Sequence, residues 1–68
     1  MTVYVLIGTY LDPIASDDAN WPMFADEIEA IYATEEAARK AAKEMGLKHQ
    51  PQASGAPYFR VEAMKVKS

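Results

Sequence analysis

The chain has 68 residues and no cysteine, so it has room for one domain and can form neither disulfide bonds nor thiolate metal sites. A domain of this size buries only about 60% of the surface that its unfolded chain exposes, and self-association is a common source of added stability. The net charge of -3 hides an asymmetry: all seven Lys and Arg residues lie from Arg39 onward, whereas eight of the ten acids precede it. Such an acidic half is suited to a partner with a basic surface.

The N-terminal stretch predicts a strand over residues 2–11, TVYVLIGTYL, which is rich in β-branched and aromatic residues. It is too short to cross a bilayer as a helix, no basic residue precedes it, and no cleavage site follows it, so we expect a cytoplasmic protein. Both faces of this strand are apolar, which is typical of the centre of a sheet. One face carries Val3, Val5 and Ile7, and the other carries Tyr4, Leu6 and Tyr10.

Asp12 and Pro13 end this strand, because proline lacks the ladder donor and restricts the residue before it. Residues 12–25 are predicted to form a long connection with room for one helical turn. A second strand follows at 27–33, EIEAIYA, in which apolar and polar residues alternate.

Thr34 is predicted to cap a helix, since its hydroxyl can accept from the free amides of the next turn, where Glu35 and Glu36 suit the helix dipole. The sequence TEEAARKAAKEMG places alanines on one face, and Gly46 is predicted to end the helix. Residues 47–57, with two prolines and a glycine, predict a loop. YFRVEAMKV at 58–66 alternates again and predicts the last strand.

This order predicts an α+β fold of the ββαβ type, with one helix on one face of a three-stranded antiparallel or mixed sheet of strand order 2-1-3. We expect the helix to cover the face that carries Val3, Val5, Ile7, Ile28, Ala30, Tyr32, Phe59 and Val61. The other face is predicted to expose Tyr4, Leu6, Tyr10, Ile31, Tyr58, Met64 and Val66. Because monomers rarely expose so large an apolar set, this second face is a candidate dimer or ligand surface, unless the 12–25 connection covers it.

The stretch DDANWPMFADE, residues 17–27, sets the only Trp of the chain in an acidic connection. Two interpretations remain open. In the first, Trp21, Met23 and Phe24 fold back as a lid on the open sheet face or the edge of the core. In the second, they protrude as an anchor, because Trp inside a polar rim is a common binding hot spot. The predicted partner-binding residues are Asp17, Asp18, Trp21, Met23, Phe24 and Asp26.

Residues with catalytic potential are few. His49 is the sole His and has no adjacent acid to orient it, and the Ser and Thr residues show no nucleophile pattern. The carboxylates of four acids could bind a hard cation such as calcium or magnesium, but their spacing matches no known cation-binding loop. These acids are Asp12, Asp17, Asp18 and Asp26. The aromatic strands lack the basic groove of nucleic-acid stacking platforms. We therefore predict no catalytic residue, metal, cofactor, direct nucleic-acid contact or membrane contact.

The segments VYVLIG, IEAIYATEEAARKAA and YFRVEAMKV together resemble small uncharacterised ββαβ proteins of phages and prokaryotes. The resemblance omits both long connections, implies the ββαβ fold and a phage or mobile-element setting, and transfers no catalytic residue. Many phage proteins of this size act by binding, including inhibitors of bacterial defence such as anti-CRISPR proteins. The chain is also similar to dimeric α+β barrels of the ferredoxin-like kind, although residues 12–25 lack a convincing first helix.

The sequence therefore favours a non-enzymatic protein-binding module, an inhibitor or adaptor that contacts its partner through the acidic and aromatic connection and that can form a homodimer. One alternative is a small-ligand-binding protein or small enzyme with a pocket between the 12–25 connection and the sheet. In that case Tyr4, Tyr10 or Tyr58 would supply polar contacts. A further alternative is a purely structural dimer within a larger assembly.

Overall fold

A computed structural model describes residues 1–53 and 55–67. Ser54, in the predicted 47–57 loop, lies outside the described residues. The elements are, in order, β1 (Thr2–Leu11), α1 (Pro13–Ala19), β2 (Phe24–Tyr32), α2 (Glu35–Lys48) and β3 (Tyr58–Lys65). Among these described residues, neither helix is long and apolar enough to cross a membrane.

The predicted α+β fold and strand order are confirmed. Over the described residues the sheet has the order β2-β1-β3, and both outer strands run antiparallel to β1. β1 therefore forms the centre, as its two apolar faces indicate. The structure adds α1, a helix of seven residues, in the connection where the sequence predicts a long loop with room for one helical turn.

α2 begins as predicted and ends later. The Thr34 side chain accepts a hydrogen bond from the amide of Ala37 at 3.3 Å, and Glu35 pairs with Arg39 at 2.6 Å on the exposed side. The prediction that Gly46 ends the helix is wrong, because α2 continues to Lys48. A terminating glycine adopts a positive φ, and Gly55 is the glycine that does so among the described residues.

The prediction of which β1 face meets the helix is also wrong. A cavity between α2 and the sheet is lined by Leu6, Ala30 and Tyr32 from the strands, together with α2 residues. Leu6 is paired with Ala30 on β2 and with Val61 on β3, and paired residues share a face. Tyr4, Leu6 and Tyr10 therefore lie on the helix side, and Val3, Val5 and Ile7 lie on the opposite side.

A β-bulge explains why β2 fits this arrangement. The pairing with β1 shifts between Leu6 and Ile7, so that Leu6 is paired with Ala30 whereas Ile7 is paired with Ile28. Glu29 is the extra residue. A regular strand would place Ile28 and Ile31 on opposite faces. Because of the bulge, both lie on the side away from α2.

The sheet face opposite α2 remains open to solvent over the described residues, and we call it the open face. Val5 and Ile7 are nevertheless buried there, because neighbours on both flanking strands shield them. The outer strands are the exposed part. The predicted dimer or ligand set is thus divided: Ile31, Tyr58 and Met64 lie on the open face, whereas Tyr4, Leu6 and Tyr10 do not.

Candidate functional site

The segment between β1 and β2 is built on a capped helix. The Asp12 carboxylate accepts hydrogen bonds from the amides of Ile14 and Ala15, each at 3.1 Å, and Pro13 occupies the first turn. At the other end Asn20 adopts φ 60°, a left-handed conformation that asparagine tolerates better than most residues. Residues 20–23, which connect α1 to β2, are called the Trp21 loop below.

Hydrogen bonds fix the Trp21 loop against the start of α1. The Asp12 amide donates to the Met23 carbonyl at 2.9 Å, and the Met23 amide donates to the Ser16 hydroxyl oxygen at 3.0 Å. The Trp21 indole Nε1 lies 3.2 Å from the Met23 sulfur, a weak acceptor. The loop is therefore closed at its base by hydrogen bonds that join Met23 to the Asp12 backbone and to the Ser16 side chain.

The apolar side chains of this segment point into water. Trp21 is 66% exposed, and Met23 and Phe24 are 39% and 43% exposed. A lid would bury the indole against the sheet, so this exposure favours the protruding arrangement over the lid. Asp17 and Asp18 are exposed on α1, the helix that precedes the loop. Five of the six predicted partner-binding residues thus belong to α1 and the chain that follows it.

The sixth residue, Asp26, belongs to a different structure. It lies on the open face, where Thr9 donates a hydrogen bond to its carboxylate at 2.6 Å and Arg60 pairs with it at 3.0 Å. Arg60 also donates to Thr9 at 3.1 Å and to Glu62 at 3.3 Å. This network joins the three strands across the open face, and its side chains were not singled out together by the sequence pattern.

The Asp26 network predicts a stability change in acid. The pKa of the Asp26 carboxyl lies below its ordinary value of 3.8, because Arg60 and then Thr9 donate hydrogen bonds to the ionised form. Ionised Asp26 therefore stabilises the folded state at any pH above the pKa that this carboxyl has in the unfolded chain. This stabilisation is lost as the pH falls below about 4 and through the lower pKa that Asp26 has in the folded protein.

We expect the unfolding free energy of the wild type to fall more steeply below about pH 4 than that of Asp26→Asn, as urea titrations followed by circular dichroism would show. Asp17→Asn, which removes an exposed carboxylate outside the network, is the matched control. Equal slopes for the wild type and Asp26→Asn would contradict this account.

A second polar contact lies on the helix side of the sheet. The Tyr10 hydroxyl donates to Glu29 at 2.5 Å, and this hydrogen bond, with partial burial and the charges of Glu29 and Glu27, raises the pKa of Tyr10 to about 12. The Tyr10 ring also meets Phe59 edge to face, with centroids 6.1 Å apart. Tyr10 is therefore a packed side chain with an occupied hydroxyl.

The cavity between α2 and the sheet has a volume of about 290 Å³. Its floor is apolar, and Glu29, Glu44 and Lys48 supply charge. The pocket predicted from sequence lies between the 12–25 connection and the sheet, whereas no residue of that connection lines this cavity. Of the three tyrosines predicted as polar contacts, none lines it, but Tyr32 does.

Other candidate groups have structural roles. Asp12 caps α1 and Asp26 pairs with Arg60, so neither carboxylate is directed toward a shared cation. Among residues 1–53 and 55–67, no group of three or more potential ligands is arranged to hold a metal ion. The His49 amide bonds to the Met45 carbonyl at the end of α2, and its ring lies 6.2 Å from that of Phe59.

No family model, curated protein or solved structure matches the chain.

Proposed function

We propose that this chain is a non-enzymatic protein-binding module, an inhibitor or adaptor that engages its partner through the Trp21 loop. The observation that carries the proposal is that Trp21 is largely exposed although the loop that bears it is fixed by hydrogen bonds. Trp is among the residue types most enriched in binding hot spots.

The fixed base of the loop lowers the cost of binding. Ordering a flexible loop at an interface consumes part of the interaction free energy, whereas a loop already held in place loses little conformational freedom. The contacts of Asp12 and Ser16 with Met23 supply this order in the free protein. Trp21 can then insert into a partner pocket with most of its apolar area still available for burial.

The charge around the loop indicates the kind of partner. Asp17 and Asp18 are exposed on α1, the helix that leads into the loop. The basic surface of a partner would be attracted electrostatically to this end of the molecule, and Trp21 would then contact that surface. The resemblance to small phage proteins supports the narrower proposal that the partner is a host defence protein.

The first test is the emission of Trp21 in the isolated protein. We expect a red-shifted spectrum that iodide quenches readily, because the indole is 66% exposed. A blue-shifted, protected indole at every protein concentration would contradict the protruding arrangement and return Trp21 to the role of a lid.

The second test is Trp21→Ala. We expect the variant to keep its stability and to lose about 2 kcal/mol of binding free energy, close to a 30-fold change in Kd, because a hot-spot Trp is removed. The partner is first found as a host protein that the wild type enriches from a lysate, and affinities are then measured by titration calorimetry. Leu47→Ala, at an exposed position on α2, is the matched control. Equal Kd values for the wild type and Trp21→Ala would contradict the proposal.

A second candidate function is binding of a small ligand in the cavity between α2 and the sheet. Its volume of about 290 Å³ and its apolar floor with a charged margin are the observations that favour it. A metabolite that raised the melting temperature would support this candidate, because selective binding to the folded state stabilises it. Absence of any shift across a broad panel would count against it.

A further inference from the structure

The open face exposes several large apolar residues on its two outer strands, on either side of the Asp26 network. Ile28 and Ile31 are 67% and 62% exposed on β2, and Met64 is 51% exposed on β3. Tyr58, Leu11 and Phe24 extend the same face toward the Trp21 loop. Exposed apolar side chains gathered on one face indicate an interaction surface, whereas scattered ones do not.

The strand register arranges this face in rows. One row runs across the sheet through Ile31, Val5 and Glu62, and the next runs through Ile28, Ile7 and Arg60. Each row therefore has an isoleucine on β2, a buried aliphatic residue on β1 and a charged residue on β3. The charges of the two rows are opposite in sign.

These rows are complementary under a two-fold rotation. An axis that lies in the plane of the interface, perpendicular to the strands and between the two rows, exchanges one row with the other. It sets Ile31 of one copy over Ile28 of the second. It also sets Glu62 of one copy over Arg60 of the second, in addition to the ion pairs that Arg60 forms with Asp26 and Glu62 of its own chain. The same rotation sets Met64 over Tyr58, a pairing in which thioether and aromatic groups attract.

We propose that the open face is the interface of a two-fold symmetric homodimer in this register. The interface is isologous, so each apolar and each charged contact occurs twice. Two sheets packed face to face in this way keep their strands within about 30° of each other. A second copy also covers the outer-strand residues that the short chain itself leaves in water.

The register is compatible with the proposed function and independent of it. The rotation that exchanges the two rows carries the Trp21 loops to opposite ends of the dimer, so both remain accessible. A dimer without partner binding, or partner binding by a monomer, would separate the two proposals. The dimer therefore needs its own test.

The first arm of the test is the mass in solution. We expect sedimentation equilibrium of the full chain to give twice the mass of one chain, and Ile31→Lys to give the mass of one chain. Leu47→Lys, at an exposed position on α2, is the matched control and stays dimeric. A wild type that is monomeric at several hundred micromolar, or a dimeric Ile31→Lys, would overturn the proposal.

The second arm tests the register by charge exchange. In a dimer of Glu62→Arg, each introduced arginine would face Arg60 of the other copy. In a dimer of Arg60→Glu, each introduced glutamate would face Glu62 of the other copy. Each variant alone is therefore expected to be monomeric. Mixed together, they regain opposite charges at both positions, and native mass spectrometry should show the heterodimer. Dimers formed by either variant alone, or no heterodimer from folded variants, would overturn this register. If Arg60→Glu does not fold, the Ile31→Lys result decides the proposal.

Discussion

Leu6→Ala is expected to lower the free energy of unfolding by about 3 kcal/mol. Leu6 is 2% exposed and lies between the sheet and α2, next to Ala30 and Met45 at the cavity. Truncating a buried leucine costs the transfer free energy of the lost atoms together with the cavity left behind, about 2–5 kcal/mol in total. Domains have about 0.05–0.15 kcal/mol of stability per residue, so the loss is a large part of the whole.

Urea unfolding followed by circular dichroism measures this change. Leu47→Ala is the matched control, because Leu47 is exposed on α2 and its truncation should change stability by less than about 0.5 kcal/mol. A loss for Leu6→Ala no larger than the loss for Leu47→Ala would contradict the placement of Leu6 in the core.

The orientation of β1 could not be obtained from sequence because both of its faces are apolar. Alternation assigns a face only when one face is polar, and β1 has Val3, Val5 and Ile7 on one side against Tyr4, Leu6 and Tyr10 on the other. The centre position, the strand order and the antiparallel pairing depend only on the presence of two apolar faces and on the connections. Those features were predicted correctly.

The orientation of β2 did leave a signal in the sequence. Ile28 and Ile31 are three residues apart, so a regular strand cannot present both on one face. A β-bulge at Glu29 reconciles them, and the pairing shift between Leu6 and Ile7 shows it. The bulge is also why the Asp26 network was missed, since it determines which β2 side chains meet Thr9 and Arg60.

The Trp21 loop was located by sequence, whereas its exposure was not. Composition shows that an apolar group lies in an acidic connection, but a lid and an anchor have the same composition. The difference arises from α1, which the Asp12 cap and the αL conformation of Asn20 define. Because this short helix is present, Met23 forms its hydrogen bonds with Asp12 and Ser16, and the loop does not fold back onto the sheet. Trp21 therefore stays exposed to solvent.

Gly8→Ala is expected to destabilise the protein by about 2 kcal/mol. A Cβ at Gly8 would lie 2.8 Å from Glu29 Oε1, 2.8 Å from Tyr10 Cε2 and 3.0 Å from Phe59 Cε1. Real Cβ atoms do not approach other heavy atoms so closely, so the Tyr10–Phe59 ring pair and the Tyr10–Glu29 hydrogen bond must shift. Overpacking of this kind costs about 1–3 kcal/mol.

Gly46→Ala is the matched comparison, with the opposite sign expected. Gly46 lies inside α2, and a Cβ there would have no heavy atom within 4 Å. Alanine is favoured over glycine in a helix interior by about 1 kcal/mol, so this variant should be more stable than the wild type. The two substitutions should therefore differ by about 3 kcal/mol in urea unfolding, although each adds one methyl group. A similar effect of both would mean that Gly8 is not the point of close approach that lets Tyr10 and Phe59 meet above the sheet.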